Sequence, residues 1–541
     1  MEIPYLFLLF IIFTYFLSKH FLQKHKNLPP SPFPSLPIIG HLHLLKPPLS
    51  RTLATLSKTH GPILLLRFGS RRVLLVSSPS AAEECFTKND IVFANRPKLL
   101  AGKHVGHNYT TIIWASYGQH WKNLRRLVST EILSANRIQM FRKVRADEVR
   151  WLLGRVYSAC SNGEFNTVEM KTTLFEMTLN NIMRMIAGKR YYGDKMASLE
   201  QQEETRKFKE MVTETFLLGG ATNKGDFIPA LNWLGLNGLN KRLKALQGKR
   251  DKVMQDLIEE HRRGNNYKSK SKTMVDVLLS LKENEPDYYT DQIISGIMQV
   301  MLIAGSDTTA GTMEWALSFL LNNPTILKNA SSEIESRITS QNRLIEESDL
   351  NELPYLNKII KETLRMCPPN RLLLPHESSK ECTIGGFHIP RGTMLLVNVW
   401  AIQNDPGLWD EPDKFKPERW GDMDVDARFS FMPFGFGRRG CPGEGLAMRE
   451  VGLGLGSLIQ CFEWEREGEE MVDMAEGPGV TTPKARPLVA KCRPRPVMYQ
   501  NTAIRNSAVS TDPMTAMFSV MDDMAGVKAV EKFQTNLKMV E

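Results

Sequence analysis

A thirteen-residue stretch constrains this 541-residue chain more than any other: Phe431-Met432-Pro433-Phe434-Gly435-Phe436-Gly437-Arg438-Arg439-Gly440-Cys441-Pro442-Gly443. Four glycines, two adjacent arginines and one cysteine stand together, and an apolar helical pattern follows over residues 446–462. Glycine opens turns closed to other residues and lets a flat partner approach the backbone. Positive charge favours a thiolate over a thiol, and so do the free N–H groups at the start of a helix. Two other readings fit the same letters. One is a small core cysteine before a helix. The other is the dinucleotide fingerprint Gly435-x-Gly437-x-x-Gly440, with Glu463 near the place of the ribose-binding acid. That fingerprint needs a strand before it and a βαβ unit around it. Pro433 interrupts the approach, and the pattern shows no clean strand after the helix.

A loop that offers a stabilised thiolate to something flat and anionic suits haem held by sulfur, with propionates for the arginines. The spacing Phe434, Gly437, Arg439, Cys441, Gly443 resembles the haem-binding loop of the cytochrome P-450 monooxygenases. The resemblance implies that Cys441 is the axial ligand of iron protoporphyrin IX, haem b. It also implies a mainly α cytochrome P-450 fold: a large helical domain with small β-sheets, and haem between a long central helix and the cysteine loop.

Composition excludes several other classes. The chain is 42% hydrophobic and 24% charged, ordinary for a globular protein. Its net charge of +10 has no long basic run, so nucleic acid is not implied, and a basic face for an acidic protein partner is the better use. The seven cysteines are scattered and never form a CxxC pair, which signals neither a disulfide framework nor a zinc site.

Residues 3–18 are uncharged and almost wholly apolar, and with Phe21 and Leu22 they reach the span of about 20 residues that a bilayer requires. Glu2 precedes the run, and Lys19, Lys24 and Lys26 follow it. Positive charge stays cytoplasmic, so the expectation is an uncleaved anchor over residues 1–22 with the rest of the chain in the cytosol. Residues 23–40 read as a proline-rich linker, residues 41–498 as one catalytic domain, and residues 499–541 as a tail of no assigned role. Residues 62–76 predict a hairpin around Gly69-Ser70, and residues 96–117 a loop. Helical periodicity marks residues 119–128, 136–159, 170–187, 201–216 and 241–263. Short strands are expected over 382–389 and 394–399.

Three further motifs lie in order along the chain. Residues 290–321 form a proline-free apolar helix about 50 Å long that carries Ala304-Gly305-Ser306-Asp307-Thr308-Thr309. Small residues there admit a flat group or a ligand to the backbone, and hydroxyls that compete for carbonyls favour a local widening. An acid beside a hydroxyl can pass protons to bound oxygen. The pattern resembles the oxygen-activating motif of the same family, which implies proton delivery by Thr308 with Asp307 as relay partner. Glu362 and Arg365, three apart on one helix face, precede Pro417-Glu418-Arg419-Trp420. By the resemblance Glu362, Arg365 and Arg419 form a buried charge network behind the haem. Trp121 and Arg125, four apart, can both donate to a haem propionate; by the resemblance, Arg439 and His376 are further propionate partners.

Residues around 289–291, 313–315 and 442–449 are similar to plant microsomal enzymes, most of all to the isoflavone hydroxylase-like family. That likeness implies NADPH- and O2-dependent hydroxylation of a small hydrophobic metabolite, phenolic, flavonoid-like or terpenoid. It also implies electrons from NADPH–cytochrome P-450 reductase, and an endoplasmic reticulum membrane location in contact with lipid. Lys122, Arg126, Arg438 and Arg449 are candidates for the reductase face, and Ala304, Leu372, Leu374 and Val480 for the substrate pocket. Met366-Cys367-Pro368-Pro369-Asn370-Arg371 departs from the family's usual pattern and leaves the substrate open. A thiolate-haem isomerase or dehydratase, and a non-catalytic haem binder, remain as alternatives.

Overall fold

The computed structural model describes residues 26–160, 163–193, 199–219, 223–233, 238–264, 272–341, 343–421, 428–479 and 481–500. The expected anchor at residues 1–22 lies outside them, as does the tail beyond residue 500. The architecture is mainly helical with small sheets. The longer helices, numbered in chain order, are α1 (Leu49–His60), α2 (Pro79–Phe86), α3 (Gln119–Leu127), α4 (Arg142–Ala159), α5 (Met170–Ala187), α6 (Leu199–Gly219), α7 (Gly238–Gly264), α8 (Met274–Asn284), α9 (Asp291–Asn322), α10 (Pro324–Arg337), α11 (Pro354–Met366) and α12 (Glu444–Cys461).

Helix α9 organises the rest. Thr290 caps it by accepting the N–H of Ile293. Its 32 residues have a mean hydropathy long and apolar enough to cross a membrane, yet most of that surface is buried inside the protein. The half from Ile294 to Leu302 packs into one apolar cluster with α5, α7 and α8. The half from Ala310 to Leu321 packs into another with α4, α10, α11 and α12. The polar run Ser306-Asp307-Thr308-Thr309 falls between the two cores.

The first sheet has the order β1-β2-β7-β4, from Ile63–Phe68, Arg71–Val76, Met394–Val397 and His376–Glu377. β1 and β2 form the expected hairpin, with Leu66 opposite Val73. β2 pairs in parallel with β7, and β7 pairs antiparallel with β4, which puts His376 opposite Leu395. Where short-strand structure was expected over 382–389, β5 (Cys382–Ile384) and β6 (Phe387–Ile389) form a hairpin.

The third sheet corrects the sequence reading. β8 (Phe462–Arg466) starts immediately after α12, where no strand was expected. It pairs antiparallel with β9 (Val489–Pro494), and β9 pairs antiparallel with β3 (Asn166–Glu169). β8 pairs only with β9, which also follows α12, and among the described residues no strand leads into the glycine loop, so the parallel βαβ unit that a dinucleotide fingerprint requires is not formed. The proline-rich stretch also differs from a free spacer. Pro30 accepts the N–H of Leu65 at 2.9 Å, and the Asn27 carbonyl accepts that of His388 at 2.9 Å. Proline lacks a donor, but its carbonyl and its neighbours still serve the sheet edge.

Glu450 on α12 is fully buried between Asn181 of α5 and Arg145 of α4, and burial pushes its carboxyl up to about 8, against the opposing pull of Asn181 and Arg145. A carboxyl raised on folding stabilises most when protonated, so that contribution fades as pH climbs from the ordinary glutamate range to about 8. Thermal melting across pH 5–9 should show wild type losing stability toward alkaline pH. Glu450→Gln should flatten that slope.

Candidate functional site

The cysteine loop is folded by two left-handed glycines, Gly435 at φ +70° and Gly437 at φ +68°. A Cβ at Gly437 would stand 2.6 Å from Oδ1 of Asp90 and 2.9 Å from the Phe86 carbonyl, so no other residue fits without displacing α2. The turn brings the Cys441 N–H to the Phe434 carbonyl at 2.9 Å. The N–H of Gly443, at the start of α12, donates to the Cys441 sulfur at 3.3 Å. Burial pushes the Cys441 thiol up, the Gly443 N–H and the charge of Arg125 work against it, and Glu444 adds to it.

The source of that positive charge differs from the sequence expectation. Arg438 turns outward to pair with Asp90 at 2.9 Å. Arg439 turns to the carbonyls of Ala94 at 2.8 Å, Ile112 at 3.0 Å and Ala115. The guanidinium that faces the sulfur belongs to Arg125, from α3, and it donates to the Gly440 carbonyl at 2.7 Å. Adjacency in sequence misled because neighbouring side chains in a tight turn point to different sides.

Three buried or half-buried arginines therefore meet at the loop. The third is Arg96, which donates to the carbonyls of Ile113 at 3.2 Å, Leu374 at 2.7 Å and Pro375 at 2.8 Å. Among the described residues no carboxylate pairs with Arg96, Arg125 or Arg439; their partners are backbone carbonyls. Burial lowers Arg96 well below its ordinary value with Arg439 adding to the effect, and burial together with Arg125 brings Arg439 down to about 10. Buried charge without a counter-charge is costly. A ligand with two carboxylates, such as haem with its propionates, fits this donor set.

Trp121 and His376 stand in the same cluster with different duties from those expected. The indole N–H of Trp121 donates to the Ile112 carbonyl at 3.1 Å, and its ring lies 4.5 Å beneath the Arg439 guanidinium. Its role here is to orient an arginine through cation–π contact rather than to donate outward. His376 lies with Nδ1 2.7 Å from the Phe93 carbonyl. Burial, with Arg96 and Arg439 next, drives its imidazole well below the ordinary value, so it is neutral. The single ring N–H then sits on Nδ1 and donates to the Phe93 carbonyl, and Nε2 is an acceptor.

Above the loop, α9 carries an open stripe. Ala304 is exposed and Ile303, Asp307, Thr308 and Gly311 are only partly covered, on a helix otherwise buried at most positions. The recurrence at 303–304, 307–308 and 311 is one helix face. A Cβ at Gly311 would meet nothing within 4 Å, which suits the approach of a flat group. Gly305 points elsewhere: a Cβ there would lie 2.5 Å from Cδ1 of Ile182, so that glycine serves the packing of α9 on α5. The expected widening is absent, and the helix is α throughout. The hydroxyls instead return to carbonyls one turn back: Thr308 to Ala304 at 2.7 Å, Ser306 to Leu302 at 2.7 Å and Thr312 to Thr308 at 2.8 Å. Asp307 accepts from the hydroxyl of Thr481 and makes no hydrogen bond to Thr308. Burial raises the Asp307 carboxyl, while Thr481 and the charge of Lys171 oppose the shift.

Behind the loop, the Glu362 carboxylate is fully buried and accepts from Arg365 Nε at 3.0 Å and Nη2 at 2.9 Å, Arg419 Nε at 2.9 Å, Trp420 Nε1 at 3.0 Å and the Lys416 N–H at 3.1 Å. Arg365 also donates to the Gln403 carbonyl at 2.8 Å. The Gln403 side chain donates to the Leu364 and Arg365 carbonyls, each at 2.9 Å, and accepts the N–H of Met432 at 3.0 Å. Gln403 thus joins the network to the cysteine loop itself.

Of the proposed pocket residues, Ala304 lies on the open stripe, Leu374 is half-buried, and Leu372 packs against the cluster of the first sheet. Val480 lies outside the described residues. Sequence reasoning passed over Arg96 and Gln403. Arg96 lies in an irregular stretch and Gln403 ends a helix, Val399–Gln403, too short to show a period, and only a carbonyl contact from a distant segment reveals each of them.

The family's sequence profile, Cytochrome P450, matches residues 29–490. An isoflavone 3'-hydroxylase of Medicago truncatula is 51% identical over 490 residues, covering 90% of this chain and 97% of its own. A (+)-piperitol/(+)-sesamin synthase of Sesamum radiatum is 48% identical over 473 residues, covering 87% of this chain and 92% of its own. A solved zebra fish cytochrome P450 with progesterone superposes with a TM-score of 0.69 at 26% identity, covering 83% of this chain and all 100% of that one. The chain belongs to the cytochrome P450 family, a class of haem-dependent monooxygenases.

Breaking a buried ion pair from one side costs about 3–5 kcal/mol. Glu362→Gln should lower stability by that order and reduce haem retention in purified protein, read by unfolding and by the ratio of haem to polypeptide. Gln403→Ala should show a smaller loss of the same kind.

Proposed function

We propose that this chain inserts one oxygen atom of O2 into a small aromatic plant metabolite, with Cys441 as the axial ligand of haem iron and electrons from NADPH through cytochrome P-450 reductase. The observation that carries the reading is the cysteine loop itself: a sulfur held by the Gly443 N–H, faced by Arg125, beside arginines that have no acidic partner among the described residues. Cys441 would hold haem iron as the thiolate, and that bond would offset the upward push of burial. When bound, the haem supplies the oxidising chemistry, and its thiolate ligand favours O–O cleavage.

The chain's own residues bind, orient and manage protons. Arg96, Arg125 and Arg439 hold the propionates, with the Trp121 ring setting the Arg439 plane. His376 faces the same anions and meets one as a donor only when a second proton joins its ring. Phe434, Gly437 and Gly443 shape the loop, and Glu362, Arg365 and Arg419 hold it from behind. Thr308 and Asp307, on the open face of α9, hold and pass the protons that oxygen activation consumes. Ala304 and Leu374 border the substrate, and Leu372 supports them from the sheet side.

The substrate class follows the relatives. One is named for hydroxylating an isoflavone and another for making sesamin and piperitol. Flat, oxygenated, multi-ring phenolics are the shared chemistry. A reductase would dock near Cys441, where Lys122 and Arg126 are exposed and Arg438 is partly committed to Asp90; Arg449, held by the Gly445 carbonyl at 2.7 Å, stands at the margin. Residues 1–22 would fix the protein in the endoplasmic reticulum membrane with the catalytic domain on the cytosolic side.

Reduced protein under carbon monoxide should show the strongly red-shifted Soret band of a thiolate complex, and Cys441→Ala should lose it together with turnover. Arg439→Ala should cut haem content while leaving the polypeptide folded, measured by pyridine haemochrome against circular dichroism. Turnover on an isoflavone and lignan panel should require both NADPH and O2. Product without either would favour the isomerase reading.

A further inference from the structure

The acid that the reading above assigns to proton delivery is not free. Asp307 leaves α9 toward the chain at 478–484, where the Thr481 hydroxyl donates to its Oδ2. The other carboxylate oxygen accepts no hydrogen bond from the described residues. Thr308, next along the helix, has its own hydroxyl committed to the Ala304 carbonyl. Acid and alcohol are therefore side by side and unconnected.

Thr481 is placed by the residue that follows it. Its neighbour Thr482 adopts a left-handed backbone at φ +50°, a conformation a β-branched residue rarely takes. Both ends of Thr482 are tied: its carbonyl accepts from the Trp315 indole on α9 at 3.1 Å, and its hydroxyl donates to the Pro369 carbonyl at 3.3 Å. Pro369 belongs to the segment that precedes Leu372 and Leu374. One anchored turn thus joins α9, the pocket segment and the acid. Among the described residues the charge facing Asp307 is that of Lys171 on α5, which also faces Glu314 two turns further along α9.

We propose that Thr481 is a positioning residue for proton delivery, its hydroxyl holding the Asp307 carboxylate turned from Thr308 toward the 478–484 turn. This rests on the assignment of Asp307 as the relay acid. Release of Oδ2 by Thr481, or a bridging water on the free oxygen, then lets Asp307 reach the Thr308 hydroxyl. The same contact stabilises the carboxylate, because an O–H donor favours the charged form. Loss of the hydroxyl therefore raises the Asp307 carboxyl further, against Lys171 alone.

The test compares Thr481→Val, which keeps shape and deletes the hydroxyl, with Thr481→Ser, which keeps the hydroxyl, and with Asp307→Asn. The first readout needs no turnover. An infrared titration of the ferric holoenzyme follows the protonated-carboxyl band that Asp307→Asn abolishes. The second is hydrogen peroxide released per NADPH oxidised, with reductase present, across pH. The expected result for Thr481→Val is an upward shift of the Asp307 band midpoint, an upward shift of the low-pH limb of NADPH oxidation, and altered peroxide release. Thr481→Ser should return all three to wild type. Equal loss in the Val and Ser variants, or a Val variant identical to wild type while Asp307→Asn is impaired, overturns the role of Thr481 and leaves Asp307 as the relay. Asp307→Asn with wild-type coupling and pH profile overturns the relay assignment itself.

Discussion

The buried carboxylate of Glu362 is the interaction on which the site depends. Five N–H donors converge on it, from α11 and from the segment at 416–420. A fully desolvated anion is tolerable only when paired and saturated with donors. Satisfying it obliges Arg365 to stay, Arg365 obliges the Gln403 carbonyl, and Gln403 obliges the Met432 N–H. The cysteine loop then begins from a fixed backbone point, and two left-handed glycines complete its turn.

The opposite side of the site is built on the reverse logic. Arg96, Arg125 and Arg439 are buried or half-buried cations whose hydrogen-bond acceptors, among the described residues, are backbone carbonyls. Carbonyl dipoles solvate a guanidinium without cancelling its charge. The field they leave depresses His376 and one another and is suited to an anionic ligand. The protein thus spends its carboxylate behind the loop and withholds one in front of it. Charge placement alone separates a structural network from a ligand-binding one.

Helix α9 unites the two sides. Its ends are embedded in separate apolar cores, so the polar middle is supported without being covered. The helix stays regular although its hydroxyls return to carbonyls one turn back, because both of its ends are held in packed cores. The one acid of the motif is left to a partner from a remote turn, and its behaviour depends on tertiary contact rather than on its neighbours in the helix.

Much of this was legible beforehand. The hairpin at 62–76, helix α5 at its observed ends, the long helix and the loop spacing around Cys441 were all readable, because period and glycine placement act within a few residues. Reading the motif order was enough to reach the family. The rest was decided by segments that meet only after folding. β8 does alternate, as Phe462-Glu463-Trp464-Glu465, but it is short and follows the apolar helix with no turn residue between them, so only its pairing with β9 sets it apart. Arg438 and Arg439 look alike in the chain, yet a tight turn sends one to Asp90 and the other inward, and Arg125 from α3 takes the place beside the sulfur. The bond from Thr481 to Asp307 crosses 174 positions of sequence. Local patterns report what a segment prefers; which charge faces which atom is set by the packing of the whole chain, and no short window contains it.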